Sequence, residues 1–519
     1  MKILLISPPY PSSECSTIPM GLSYIAAVLQ KEGHEVQVLD FLLQRYSPRK
    51  VRAKISEFDP NMVGITSVTL NFFTASNILK VCKRANPDIT TMMGGPHVTF
   101  TAEETLKTHP WIDIVVRSEG EYTMADVARG KRLEDTPGIS FRRNGNVMHT
   151  ESRKLISDLD ELPFPARRLF PIARYLAYNP ECGLVTSRGC PFDCIFCVGH
   201  KMVGRKTRYR DVKMVCDEIE DILRLGFRGI NIVDDLFTLS RKHVLGLCDE
   251  ILSRKLRFKW TCFARVDTVD DELLRRMKEA GCYYTCYGVE SGNQDILDSA
   301  KKKITLDEIR RAVRLAKDNG INVLASCILG LPGETKETIR QSMEFVRELN
   351  TPYGFHLLAP FPGTEVREKA KEYGIKIITN NWRRYDANEA VTCTKDVTCE
   401  EANELSFEYR KNKAKYDELF LKLEEERERK EKVSPEEIEE RSWFGSALKR
   451  RAEVADVVLK NDVIEGIRRK GLSLEQVTTY ISSRFSLPLP QVSAVLESWV
   501  SEGILKNNHG RWMWTEWSG

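Results

Sequence analysis

Short apolar runs alternate with stretches of helical spacing over the first 130 residues. KILLIS (residues 2–7) is closed by Pro8 and Pro9. GLSYIAAVLQKEG (21–33) spaces its apolar positions as a helix does and stops at Gly33, and EVQVLD (35–40) alternates as a strand does. MVGITSV (62–68), TTMMGG (90–95) and IDIVVRSEGE (112–121) are three more strand candidates, with the helix TASNILKVCKRA (74–85) between the first two. This pattern predicts a parallel sheet with helices on both faces and ligands at the carboxyl ends of its strands. Those ends carry Pro9 and Tyr10, then Thr66, Ser67 and Thr69, then Gly94, Gly95 and His97, and finally Glu119 and Glu121.

GISFRRNGNVMHT (138–150) predicts a hairpin around Asn144-Gly145, and the proline-rich DELPFPARRLFP (160–171) reads as a connector. A second alternation follows, with strands near LVTSR, GINIVDD, KWTCFARV, YYTCYGVE, NVLASCILG and YGFHLLAP. Six strand–helix repeats predict a partly closed parallel barrel with its chemistry at the strand ends. Beyond it lies a charged helical stretch, a solvated brace by its pattern. Helices near 453–469, 473–484 and 489–502 and a hairpin in ILKNNHGRWMWTEW close the chain. The expected α/β organisation is thus a doubly wound, Rossmann-like domain at 1–140, a linker at 141–182, a partial (β/α)6 barrel of the TIM type at 183–385, a charged helical segment at 386–440, and a small winged-helix-like unit at 441–519.

Composition changes this picture little. The chain has 519 residues, 42% hydrophobic and 29% charged, with a net charge of +4, the balance of an ordinary soluble protein with no special case for a polyanion partner. The apolar core of MKILLISPPY is too short for a signal peptide, and no run is long enough to span a bilayer. Fourteen cysteines without a paired framework fit reduced thiols in a cytoplasm. The last helix, PQVSAVLESWVSEG, carries two glutamates and no lysine or arginine, so DNA binding is not expected. Trp499, Trp512, Trp514 and Trp517 are left as a contact surface or that unit's own core.

SRGCPFDCIFCVGH (187–200) is the exception, with Cys190, Cys194 and Cys197 inside eight residues. On a helix this spacing would line a buried face, but Gly189, Pro191 and Asp193 argue for a loop. Three soft ligands on a loop make a metal site. With His200 the set becomes a Cys3His zinc site; without it, three thiolates suit a 4Fe–4S cluster with one iron lacking a protein ligand. Cys216, Cys248, Cys262, Cys282, Cys286 and Cys327 fall in helix or strand patterns and read as core. Cys393 and Cys399 lack the spacing of a second cluster, and Cys15 reads as a plain loop thiol.

The C-x3-C-x2-C loop, with Phe196 before its third cysteine, resembles that of the radical S-adenosylmethionine superfamily over residues 183–385. The resemblance implies that Cys190, Cys194 and Cys197 hold one 4Fe–4S cluster whose open iron chelates S-adenosylmethionine, which is then split reductively to a 5′-deoxyadenosyl radical. It further implies contacts to S-adenosylmethionine from Phe196, from Asp234 and Asp235 in NIVDDLF, from Glu290 and Ser291 in YGVESGNQ, and from Gly330 and Gly333 in CILGLPGET. A flavodoxin- or ferredoxin-type electron donor follows from the same chemistry.

Residues 1–140 resemble the cobalamin-binding domain that precedes many such cores. Pro9, Tyr10, Thr66, Ser67, Thr69, Gly94, Gly95, His97, Glu119 and Glu121 are the cobalamin contacts this implies. No Asp-x-His-x-x-Gly occurs, so a lower histidine ligand to cobalt is not expected, and His34 reads as structural. The whole layout is similar to cobalamin-dependent radical S-adenosylmethionine methyltransferases, which implies methyl transfer to an unactivated carbon. The same layout occurs in the anaerobic magnesium-protoporphyrin monomethyl ester cyclases, so oxidative cyclisation stays open. A zinc-stapled regulator is the non-enzymatic alternative. The catalytic residues and the substrate, whether peptide, lipid, tetrapyrrole or small metabolite, are not legible at this stage.

Overall fold

The computed structural model describes residues 1–10, 17–178, 181–404, 446–467 and 471–516. Cys15, Trp517 and 405–440 of the expected charged helix lie outside them. Strands β1 (Lys2–Ser7), β2 (Glu35–Asp40), β3 (Met62–Thr66), β4 (Thr90–Gly94), β5 (Ile114–Val116), β6 (Ile139–Arg143) and β7 (Asn146–His149) form one sheet in the order β2-β1-β3-β4-β5-β6-β7. The first five are parallel; β6 and β7 add an antiparallel hairpin. Its turn places Asn144 and Gly145 at φ +50° and +80°, the left-handed pair a two-residue hairpin needs. The sheet therefore runs past residue 140, where the sequence pattern had placed the domain's end.

Alternation along the strands sorts the core. Leu4 and Ile6 pack with the helices at Pro48–Phe58, Phe72–Ala85 and Pro96–Thr108, whereas Ile3 and Leu5 face the helices at Met20–Lys31 and Glu121–Ala128. Successive side chains of a strand point to opposite faces, so a run such as KILLIS must be covered twice.

The second sheet joins β8 (Glu181–Leu184), β11 (Gly229–Ile232), β12 (Lys259–Ala264), β13 (Cys282–Glu290), β14 (Asn322–Leu329) and β15 (Tyr353–Leu357), all parallel and in chain order from β8 to β15. Its two edges do not pair, so the barrel is open. Between β8 and β11, β9 (Ser187–Arg188) and β10 (Arg208–Tyr209) pair antiparallel and close residues 189–207 into one loop. The covering helices are amphipathic: Ile309, Ala312, Val313 and Ala316 form the buried stripe of Leu306–Asp318.

Beyond the barrel the chain turns back, and Trp382, Tyr385 and Val391 pack into the core of the first domain. The C-terminal part has helices at Ser446–Lys460, Leu474–Phe485 and Leu489–Ser501, then the hairpin Leu505–Asn508 and Arg511–Trp514. It rests on helix Ile172–Tyr178, which leads into β8. Arg451 donates to the carbonyls of Leu176 and Ala177 and pairs with Glu502, and the Trp499 indole N–H donates to Ala177 O at 3.2 Å. This unit thus sits at the amino end of β8, away from the barrel mouth. Trp499 and Trp514 pack together, with ring centroids 5.4 Å apart.

The turn after β14 is drawn shut by Glu334. Its Oε2 accepts from the backbone N–H of Gly330 (2.5 Å) and Leu331 (3.2 Å), its Oε1 has no partner, and burial pushes its carboxyl up to about 8. A carboxyl that holds its proton more tightly folded than unfolded contributes stability below about pH 4.5 that is lost as pH rises through about 8. Glu334→Gln should remove that slope, about 1.4 kcal/mol per pH unit inside the window. Chemical denaturation of both proteins at pH 6, 7 and 8 checks this; parallel stability curves would rule it out.

Candidate functional site

The cysteine loop stands at the carboxyl end of β8. Gly189 enters it at φ +117°, where a β-carbon would lie 2.6 Å from Lys206 O. The loop is held by short-range bonds: Cys197 N–H donates to Cys194 O at 3.1 Å, and Gly199 N–H donates to Cys197 Sγ at 3.3 Å. The three thiols are electrostatic neighbours of one another, and burial pushes each of them up. Cys194 is buried and Cys197 is exposed. Next to Cys194, the Arg265 guanidinium and the Lys302 ammonium favour its thiolate while Glu290 opposes it. A set of desolvated thiols with an amide donor and two cations beside it suits an iron–sulfur cluster, whose sulfurs take N–H bonds and whose net charge is negative. Among the described residues, no three His, Cys, Asp or Glu side chains, the three loop cysteines included, form a group placed to hold a single ion.

Asp234 and Asp235 part company. Asp234 is buried, and its carboxylate accepts from Thr186 N–H, Thr186 Oγ1 and Ser187 Oγ at 2.6 Å each, with its pKa raised to about 6 by burial. It straps β11 to the chain beyond β8, so its carboxylate is already engaged with the protein. Asp235 accepts from Gly189 N–H at 3.0 Å and stands beside Cys190 and Cys197. Ser291 is buried against Ser342 of helix Lys336–Glu348, with the two hydroxyls 3.0 Å apart. Phe196 packs with Ile195, Ile296, Leu331 and Leu358, so the cysteine loop meets the Gly330–Gly333 turn on an apolar cluster. Both glycines hold positive φ.

A cavity of about 390 Å³ opens between the first domain and the barrel. Thr66, Gly94, Gly95, Glu119 and Glu121 line it from one side, and Ser187, Arg188 and Asp235 from the other. Gly95 is required by close approach: at φ +104°, a β-carbon there would collide with Ser67 O. Leu5, Gly64, Met92 and Met124 carry the cavity down between sheet and helices. The residues suit a broad, largely apolar group lying on the strand ends.

Other expected contacts stand elsewhere. Pro9, Tyr10, Ser67, Thr69 and His97 do not line the cavity. His97 is buried on the opposite face, 3.2 Å from Thr69 Oγ1, with its ring centroid 4.3 Å from that of Phe72 and 5.1 Å from that of Trp382. Burial there lowers its pKa to about 3. Glu119 and Glu121 reach the cavity wall already paired: Glu121 binds Arg188 at 2.7 Å, and Glu119 binds Arg188 at 3.2 Å and Arg208 at 2.9 Å. They line the cavity as ion-pair partners of the barrel domain.

Sequence reasoning missed three features. Cys286, expected in the core, lies on the inner barrel wall by strand register and is partly exposed. His356 and Phe263, on β15 and β12, face the same interior and are exposed. Lys302 sits at the site within a lysine run that gave no signal beyond surface charge.

Comparisons with known proteins agree with this geometry. Residues 12–128 match the B12 binding domain model, and residues 184–346 match that of the radical SAM superfamily. The chain is 36% identical over 417 residues to an uncharacterized methyltransferase of Pyrococcus horikoshii, covering 78% of this chain and 90% of the relative. It is 33% identical over 407 residues to the anaerobic magnesium-protoporphyrin IX monomethyl ester cyclase of Rubrivivax gelatinosus, covering 74% and 72%. The fold is similar to that of the cobalamin-dependent S-adenosylmethionine radical enzyme OxsB, solved with aqua-cobalamin and S-adenosylmethionine, with a TM-score of 0.68 at 17% identity over 96% of this chain and 78% of that one. The chain belongs to the radical S-adenosylmethionine enzymes that carry a B12 binding domain ahead of the barrel.

Proposed function

We propose that this enzyme methylates an unactivated carbon, with Cys190, Cys194 and Cys197 holding one 4Fe–4S cluster and cobalamin lying in the cavity between the domains. One observation carries this reading: the B12-domain strand ends and Asp235, neighbour of the cluster thiols, line the same cavity. Two cofactors sharing one space suit the passage of a methyl group to a carbon from which hydrogen has been removed. When bound, the cluster and S-adenosylmethionine supply a 5′-deoxyadenosyl radical and the corrin supplies the methyl group.

The protein's own part is placement and exclusion of water. Phe196 and the Gly330–Gly333 turn would give a purine an apolar seat, Glu290 at the end of β13 would take ribose hydroxyls, and Asp235 beside the thiols would take the amino group. Thr66, Gly94 and Gly95 let the corrin and its tail approach the backbone. Asn231, Thr261, Phe263, Ser326 and His356 share the inner barrel face by register and would meet the substrate. The electron comes from a low-potential flavodoxin- or ferredoxin-type donor. The second reading, oxidative cyclisation, is favoured by the 33% identity to a cyclase over 74% of this chain.

Cys194→Ala is expected to lower 5′-deoxyadenosine formation at least 100-fold and cut cluster iron in anaerobically reconstituted protein, with bound corrinoid unchanged. Retained deoxyadenosine would refute the ligand assignment. With methyl-labelled S-adenosylmethionine, methylation moves label into product and yields S-adenosylhomocysteine. Radical formation on the substrate with no transfer of label would instead establish the cyclase reading. Chelation of iron should abolish both products and leave the corrinoid spectrum in place.

A further inference from the structure

Glu290 and Lys302 form an ion pair with 2.7 Å between Oε1 and Nζ, both residues buried at 7% and 6% exposure. The pair lies on the inner wall of the barrel. Gly288 is paired with Ser326 in the register of β13 and β14 and faces inward. A β-carbon on it would collide with Glu290 Oε1 and lie 2.7 Å from Lys302 Nζ. Glu290 itself holds φ +63°, a conformation that favours glycine.

The ammonium is fixed from both sides. Lys301 binds Glu365 at 2.8 Å and Lys303 binds Asp193 of the cysteine loop at 3.1 Å, both lysines at φ +55°. Ile195 N–H of that loop donates to Ala300 O at 3.2 Å, and Arg265 donates to Lys302 O at 2.8 Å while its guanidinium stacks 3.6 Å from the Phe192 ring centroid. Three consecutive lysines thus go to three different carboxylates, and the middle one points at the metal site. Its charge acts on both Cys194 and Cys197.

We propose that the Glu290–Lys302 pair controls reduction of the cluster: nucleotide docking draws Glu290 onto the ribose hydroxyls, strips Lys302 of its counter-charge, and eases uptake of one electron once the sulfonium is in place. The inference rests on the functional reading above. The step is a single electron passed from a low-potential one-electron donor to the oxidised cluster, with no bond made and no proton moved. The reduced cluster carries one more negative charge, which a bare ammonium in a low-dielectric site stabilises and a carboxylate beside it cancels. Lys302 acts through charge and is a positioning residue.

The test uses anaerobically reconstituted full-length protein poised at fixed potential with dithionite and viologen. Electron paramagnetic resonance reads the ratio of reduced to oxidised cluster, with and without an aza analogue of S-adenosylmethionine that cannot be split. In the wild type the analogue should raise the ratio about tenfold, 59 mV for one electron. Lys302→Met should lose that response, and Lys302→Arg should keep it. Glu290→Gln without analogue should already stand near the wild-type ratio with analogue. A Lys302→Met protein with wild-type iron, sulfide, ratio and response overturns the proposal. If that variant fails to assemble, Glu290→Gln decides, and a ratio equal to nucleotide-free wild type overturns it. A wild-type chain that assembles no four-iron cluster instead overturns the functional reading beneath it.

Discussion

Two arginines face each other across the short ladder that closes the cysteine loop. Arg188 and Arg208 are register partners on β9 and β10, a like-charge pairing that repels when left alone. It holds because the first domain supplies the counter-charge. Glu119 takes both guanidinium groups and Glu121 takes Arg188 as well. Burial opposes the Glu119 carboxylate, but Arg208, Arg188 and the Ile156 amide outweigh it and hold its pKa below the usual range. Removing one member of such a buried set leaves a stranded charge and costs about 3–5 kcal/mol. The metal loop of one domain therefore cannot be shaped without the sheet of the other.

This dependence explains why the cavity lies where it does. Glu119 and Glu121 follow β5, and Arg188 closes the base of the loop, so the ion pairs that fasten the two domains are themselves part of the cavity wall. Ser118, held at φ +60°, adds a bond from its hydroxyl to Met202 O of the loop at 2.6 Å. The return segment after the barrel adds a second fastening on the other face, where Trp382 and Tyr385 close over His97 and Phe72. A group bound between the domains is thus enclosed by surfaces that fix each other, the preorganisation that positioning demands.

How much of this could be read from the sequence depended on whether the deciding contact was local. The strand–helix alternation, the Asn144-Gly145 turn and the cysteine spacing are local patterns, and each appears in the structure as a local element. Asp234 and Asp235 are adjacent, and nothing near them tells the strap from the wall; the difference lies with Thr186 and Ser187, nearly fifty residues earlier. Glu119 and Glu121 stand at a strand end as ligands do, yet their arginines lie far downstream. His97 was misplaced because its cage includes Trp382, from beyond the barrel. Lys302 was invisible because a run of lysines ordinarily means solvent. Gly288, two residues before Glu290, was the one signal present, since only a missing side chain leaves room for a buried pair on the barrel wall.

The same charges bear on why the site needs a movable partner at all. Burial raises the cost of every thiolate here, and it equally raises the cost of any further negative charge on whatever the thiolates hold. Two cations act on Cys194. Arg265 is committed, bonded to Asp267 through Nε and Nη2 and to the carbonyls of residues 302 and 303. Moving it would break the contacts that seat the lysine run. Lys302 is bound to the Glu290 carboxylate at the end of β13; under the reading proposed above a docked ribose would take that carboxylate, so the neutralisation of Lys302 would be reversible where that of Arg265 is not. An electron that arrives before the sulfonium has docked is wasted, and a charge released only by docking is a physical means of making it wait.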